Sequence, residues 1–114
     1  PPFIASTLHN SLQRGVIQSS KRRERLISLT KMMKSELREL GLKTNSNKMP
    51  IASFSVGNYQ TSLKLYNNLL EKGVWIPLIR YPTPDSDGVF RMSVNAEHKE
   101  TQVAYVFNTL NSLI

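Results

Sequence analysis

The sequence contains no cysteine among its 114 residues. Disulfide bonds and thiolate chemistry are therefore excluded, which is in keeping with a reducing cytoplasm. No apolar run approaches the roughly 20 residues needed to span a bilayer. The N-terminus also lacks the charged-then-apolar layout of a signal peptide. We therefore expect a cytoplasmic protein that does not contact a membrane.

Several patterns that carry chemistry are also absent. The sequence has no Gly-x-Gly-x-x-Gly or Walker-type phosphate loop and no Gly-x-Ser-x-Gly nucleophile motif. Its two histidines, His9 and His98, have no second metal ligand at a suitable spacing. We therefore predict no metal site, no hydrolase triad and no nucleotide binding through a glycine-rich loop.

Positive charge is what the composition does provide. Fifteen Lys and Arg residues against eight Asp and Glu residues give a net charge of +7. Such a basic chain is a plausible partner for nucleic acid, an anionic surface or an anionic small molecule. The basic cluster Lys21–Arg25 lacks interleaved aromatic residues and Arg-Gly repeats, however, so a solvated helix face is the favoured interpretation.

The N-terminal third is predicted to be helical. Apolar spacing favours a helix over residues 3–13, which Gly15 bends or interrupts, and a long amphipathic helix over residues 20–40. The predicted apolar stripe of the long helix is Leu26, Leu29, Met33, Leu37 and Leu40. If this second helix begins at Ser20, residues 21–23 place positive charge at the positive end of the helix dipole. Either the helix starts earlier, or these charges face acidic groups supplied from outside the chain.

Residues 44–50 are polar and predict a linker, after which the pattern alternates between strands and helices. The predicted class is α+β, with three short strands, the last two antiparallel, and helices packed on one face. Pro77 predicts an edge strand or a bulge, since proline cannot donate to a strand ladder. The predicted elements are a strand at 51–56, a helix at 59–72, strands at 74–81 and 89–94, and a closing helix. The apolar residues that define the closing helix are Val103, Val106, Phe107, Leu110 and Leu113.

Side-chain positions follow from the same patterns. The helix after Asn58, its expected N-cap, has Leu63, Tyr66 and Leu70 as its predicted apolar stripe. Trp75 and Tyr81 are interpreted as core residues. Asp85 and Asp87 lie in a turn-rich loop, where capping of turns is the favoured function.

The strand at 89–94 contains the best candidate for a binding residue. Phe90, Met92 and Val94 alternate with polar residues, so Arg91 is predicted to point away from the core. A guanidinium group on a stiff strand suits a carboxylate or a phosphate, because its donors form a rigid fork. Strand position alone nevertheless favours an ordinary solvated surface residue.

The order of motifs in the C-terminal half resembles a known family. Glu71–Pro84 reads EKGVWIPLIRYPTP and is followed by Gly88, by Phe90–Ser93 (FRMS) and by Ala96–His98 (AEH). This succession is similar to the C-terminal small domain of the α-oxoamine synthases, pyridoxal-phosphate (PLP) enzymes of the fold type I aminotransferase superfamily. Members of this family include 8-amino-7-oxononanoate synthase, 2-amino-3-ketobutyrate CoA ligase, 5-aminolevulinate synthase and serine palmitoyltransferase, and the resemblance is to enzymes like the first two.

The resemblance implies functions for three residues. Arg91 matches the arginine that binds the carboxylate of the amino-acid substrate, which fixes how the substrate lies over the cofactor. Thr83 matches a threonine that lines the substrate entrance, and His98 matches a histidine interpreted as structural. No catalytic, cofactor-binding or metal-binding residue is expected in this chain.

The resemblance also implies a larger enzyme. The lysine and the other groups that hold PLP belong to a large domain without a counterpart here, so this chain alone is predicted to be inactive. Residues 1–43 are expected to be connecting helices from that domain, 44–50 a linker and 51–114 the small-domain core. The expected parent is a cytoplasmic homodimer, an acyltransferase related to biotin biosynthesis that condenses an amino acid with an acyl-CoA.

Two alternatives remain at this point. The chain could be a free-standing ferredoxin-like module whose basic helix binds nucleic acid or another polyanion, although nucleic acid is the less favoured partner. It could also be the small domain of a fold type I aminotransferase, which likewise uses a small-domain arginine for the substrate carboxylate.

Overall fold

A computed structural model describes the backbone of residues 2–45, 47–80 and 87–114, and side chains from residue 18 onward within these ranges. The described parts have an α+β fold, as predicted. Tyr81, Thr83, Asp85 and the side chain of His9 lie outside the described residues. The elements are α1 (Pro2–Glu39), β1 (Ile51–Phe54), α2 (Tyr59–Glu71), β2 (Leu78–Ile79), β3 (Val89–Ser93) and α3 (Glu100–Leu113).

The N-terminal segment forms one helix of 38 residues, α1. Of the two effects predicted for Gly15, an interruption of the helix is therefore wrong. A glycine inside a helix costs only about 1 kcal/mol relative to alanine, which a helix of this length can absorb. Because α1 begins at Pro2, residues 21–23 lie far from its N-terminus, and the predicted conflict with the helix dipole does not arise.

The C-terminal half of α1 packs into the core. Leu29, Met33 and Leu37 are buried, which confirms the predicted stripe. They belong to the same hydrophobic cluster as the strand and helix residues after position 50. The division of the chain into residues 1–43, a linker at 44–50 and residues 51–114 stays a prediction. The hydrophobic core contains residues from both sides of that linker.

The three strands form an antiparallel sheet in the order β1-β3-β2. Ala52 lies opposite Met92, and Phe54 lies opposite Phe90. Among the described residues, strand β2 consists of Leu78 and Ile79, so its described part is shorter than the predicted strand at 74–81. It is an edge strand, as the proline before it predicted.

One face of the sheet is buried beneath the helices. Phe90 and Met92 of β3 are buried, and the ring of Phe90 stacks on Phe54 with centroids 5.2 Å apart. The closing helix, α3, buries Val103 and Phe107 against this cluster, as predicted. The sheet therefore separates a helix-covered core from an open face. No helix in the described part of the chain has the length and apolar character needed to cross a membrane.

Helix α2 differs from its predicted packing. Its buried residues are Ser62, Leu65 and Leu69, whereas Leu70 is 43% exposed. Leucines lie on both the predicted face and the buried face of α2, and Ser62 completes the buried one, so apolar spacing alone does not identify it. Of the predicted stripe, Tyr66 packs against the core in a half-buried position. The N-cap prediction is confirmed, since the Asn58 side chain accepts a hydrogen bond from the Thr61 N–H at 2.9 Å.

The burial of α1 leads to a stability prediction. Replacing Met33, which is 0% exposed, with alanine should lower the free energy of unfolding by about 2–5 kcal/mol because it leaves a cavity. Met49→Ala is the matched control, because Met49 is 57% exposed. Its effect should stay within about 0.5 kcal/mol. Urea unfolding, followed by circular dichroism, measures the free energy of unfolding of both variants. Equal losses in the two variants would contradict the packing of α1.

The buried serine leads to a prediction of the opposite sign. Among the described residues, the Ser62 hydroxyl is buried without a hydrogen-bond partner. Ser62→Ala should therefore raise the free energy of unfolding by about 1 kcal/mol, because the desolvation penalty disappears. Ser112→Ala is the control, since that hydroxyl donates to the Thr109 carbonyl at 2.7 Å. A lower melting temperature for Ser62→Ala would show that the hydroxyl has a partner.

Candidate functional site

Arg91 lies at the centre of the sheet. Its strand, β3, is hydrogen-bonded to a neighbour on each side. Its Cα lies opposite Ser53 of β1, and its N–H donates to the Pro77 carbonyl at 2.9 Å. The side chain is exposed, which confirms the predicted direction away from the core. The backbone of Arg91 is thus fixed on both sides, and the guanidinium group is accessible.

A concave surface surrounds Arg91, and we call it the Arg91 pocket. It has a volume of about 330 Å³, at the lower end of the range for small-molecule sites. Its walls come from the segment before β2, from β3, from His98 in the turn that follows, and from α3. One permanently charged group therefore lies among largely apolar neighbours. The lining residues are Gly73, Val74, Trp75, Ile76, Pro77, Arg91, Met92, Ser93, His98 and Val106.

Trp75 is part of this pocket and not of the core. It is 68% exposed, so the core prediction for this residue is wrong. Its neighbours Val74 and Ile76 are both buried. Burial alternates along these three residues, and this places Trp75 on the open side. The indole provides an apolar surface in the same pocket as the arginine.

His98 closes the turn between β3 and α3. The Asn95 N–H donates to His98 Nδ1 at 3.0 Å, and the His98 N–H donates back to the Asn95 carbonyl at 3.1 Å. The Asn95 side chain also accepts from the Glu97 N–H at 2.9 Å. These bonds fix the imidazole within the turn, in keeping with a structural function.

Two arginines of α1 contact the same turn. Arg22 Nη2 lies 2.7 Å from Glu97 Oε1, and Arg25 Nη2 donates to the His98 carbonyl at 3.3 Å. Of the two alternatives for this cluster, the first holds, because α1 starts well before Ser20. Arg22 in addition finds a carboxylate within the chain, that of Glu97. Glu97 is too distant in the sequence for helix periodicity to connect it with Arg22.

The Arg91 pocket does not supply the groups that would hold PLP. A PLP enzyme attaches the cofactor through a lysine and pairs the pyridinium nitrogen with a charged partner. Within the described residues, the pocket lining includes neither a lysine nor a carboxylate.

A further cation outside the pocket, Arg80, lies over the ring of Tyr59 at 4.0 Å, a contact that the sequence did not predict.

Comparison with known proteins identifies the family. A family model for aminotransferases of class I and II matches residues 1–110. The 8-amino-7-oxononanoate synthase of Nitrosomonas europaea is 38% identical over 104 residues, which are 90% of this chain and 27% of that protein. The chain therefore belongs to the aminotransferase class I and II family, and it spans about a quarter of the length of that relative.

Solved structures show the same fold. Serine palmitoyltransferase of Sphingomonas wittichii has a TM-score of 0.78 and 24% identity over 88% of this chain and 26% of that chain. A structure of SPT with its PLP internal aldimine has a TM-score of 0.76 and 22% identity over 83% of this chain and 25% of that one. The family match covers nearly the whole chain, so the alternative of a free-standing ferredoxin-like module is not supported.

The ion pair between α1 and the turn can be tested with a double-mutant cycle. Arg22→Ala, Glu97→Ala and the double variant should give a coupling energy of about 0.2–1 kcal/mol, because exposed ion pairs are weak. The Arg22 and Glu97 side chains are 65% and 69% exposed, so high salt should reduce the coupling further. Thermal unfolding at low and high salt measures it, and a coupling that is zero at low salt would contradict the contact.

Proposed function

We propose that this chain is the C-terminal small domain of a PLP-dependent acyltransferase that condenses an amino acid with an acyl-CoA, like 8-amino-7-oxononanoate synthase. The family match and the name of the Nitrosomonas europaea relative support this proposal. The large domain of the same enzyme would hold the cofactor, and the parent would act as a homodimer in the cytoplasm. The share of the relatives that the chain covers, about a quarter, supports a separate large domain.

Arg91 is the residue that this proposal assigns to the substrate. Its position carries the argument, because it combines a fixed backbone with an exposed guanidinium group. An arginine fork binds a carboxylate through two parallel hydrogen bonds, which sets the orientation of the carboxylate as well as its distance. Within the described residues, Arg91 forms no ion pair with a carboxylate of this chain. Its donors are thus available to a substrate.

The surroundings of Arg91 strengthen such a contact. Trp75 and Pro77 contribute apolar walls to the pocket. A substrate that lies against these walls also covers the guanidinium group and displaces water from it. Charge interactions are stronger where water is excluded. In this proposal Arg91 binds and orients the amino acid and takes no part in bond cleavage. Thr83, as a lining residue of the substrate entrance, remains a prediction.

A second candidate function is amino-group transfer. The name of the matching family, aminotransferase class I and II, favours this candidate. An acyltransferase releases the free thiol of CoA from an acyl-CoA and an amino acid, whereas an aminotransferase produces a new amino acid from a 2-oxo acid. A thiol assay and an amino-acid assay on the complete enzyme therefore separate the two functions.

The assignment of Arg91 predicts a kinetic change. In the complete enzyme, Arg91→Ala should raise KM for the amino acid by about 10- to 100-fold, because a charge-assisted contact of roughly 1.5–3 kcal/mol is lost. Arg91→Lys should recover only part of the loss, since an ammonium group lacks the planar fork. CoA thiol release, measured against a panel of amino acids and acyl-CoA chain lengths, gives these values.

The control for this experiment is Arg23→Ala, which removes an exposed arginine of α1 that does not line the pocket. It should leave KM unchanged. The absorbance of bound PLP should be the same in all variants, because Arg91 is not assigned to cofactor attachment. An unchanged KM in Arg91→Ala would refute its role, and absence of thiol release with every substrate pair would refute the acyltransferase.

A further inference from the structure

A second concave surface lies between α1 and the loop that follows it. We call it the basic pocket, because four of its lining residues are cationic. Its volume is about 340 Å³, and it shares no lining residue with the Arg91 pocket. The residues that matter here are Lys31, Lys34, Arg38, Asn45, Asn47 and Lys48.

The four cations of the basic pocket line the same cavity, and none of them is paired with a carboxylate of the described chain. Lys31, Lys34 and Arg38 are three, four and seven positions apart on α1, a spacing that places them on one helix face. Lys48 faces them from the loop. Like charges at such spacings repel each other. Within the described residues no carboxylate forms an ion pair with any of the four, so a bound anion would relieve the repulsion.

Lys34 is the most informative member. Lys34 is buried, with only 6% of its surface exposed. The ammonium group donates to Asn47 Oδ1 at 3.1 Å and also to the Asn47 carbonyl oxygen. A lysine has three such donors, and a buried charge is costly unless it is paired. Two neutral amide oxygens solvate the ammonium group but leave its charge in place.

The loop that receives Lys34 is ordered by its own hydrogen bonds. Asn47 Oδ1 also accepts from Asn45 Nδ2 at 2.8 Å and from the Met49 N–H at 3.1 Å. Asn45 Nδ2 additionally lies 3.3 Å from the Ile51 carbonyl of β1, to which it donates. The loop thus holds the acceptors for Lys34 in position, and the buried ammonium group has a fixed place in the pocket.

We propose that the basic pocket binds a phosphoryl group of a small molecule. Several cations around one cavity suit a group that carries two negative charges, with lysines as point charges and Arg38 as a fork. The volume lies within the range of small-molecule sites. Ile27, which is 50% exposed, lines the same pocket and offers an apolar contact for the remainder of the ligand. This site goes beyond the proposed function and does not depend on it.

Titration of inorganic phosphate into the complete protein tests the site. Isothermal titration calorimetry at low ionic strength should detect binding to the wild type. Lys31→Gln combined with Arg38→Gln should weaken the affinity about tenfold, because two charge-assisted contacts are lost. Both residues are exposed, so the fold should be retained. The matched control is Lys21→Gln with Arg23→Gln, which removes the same charge from exposed positions of the same helix and should change affinity less than about twofold.

A third variant examines the buried ammonium group directly. Lys34→Met keeps a long side chain without charge and should abolish the phosphate signal, with folding checked by circular dichroism. If Lys34→Met does not fold, the comparison between the two double variants decides the question. Absence of phosphate binding by the wild type, or equal weakening in both double variants, would overturn the proposal.

Discussion

The alternation of side chains along β3 is the constraint on which the rest of the structure depends. Phe90 and Met92 are buried beneath the helices, and this fixes Arg91 between them on the opposite face. A shift of the register by one residue would expose both apolar residues and bury the arginine. Burial of the core and presentation of the candidate site are therefore two results of the same pairing. Hydrogen bonding to β1 on one side and to β2 on the other maintains this register.

The elements that depend on local pattern could be predicted from the sequence. The α1 stripe at Leu29, Met33 and Leu37, the two faces of β3 and the Asn58 cap all follow from spacing and from short-range chemistry. The helix continues through Gly15 because the cost of one glycine is small beside the many hydrogen bonds of a 38-residue helix. Helix α2 has leucines on more than one face, so apolar spacing alone does not identify the buried face.

The environment of the site could be predicted only in part. Exposure of Arg91 follows from alternation, but alternation alone favours a solvated surface residue and does not assign Arg91 to a substrate carboxylate. Trp75 lies in an apolar stretch, and only the burial of both its neighbours shows that it faces the pocket. The contact of Arg22 with Glu97 and the burial of Lys34 by the loop around Asn47 depend on tertiary structure. Helix periodicity alone predicts that both cations are solvated.

The small size of the sheet has a consequence for association between copies of the chain. A strand at the edge of a sheet exposes unpaired backbone groups, on which a strand from another molecule can pair. Here one edge is β2, which has only two residues and is preceded by Pro77. The other edge is β1, with four residues, and the Asn45 side chain donates to the Ile51 carbonyl at its start. Short strands, a proline and a side-chain donor thus protect the sheet against edge-to-edge aggregation.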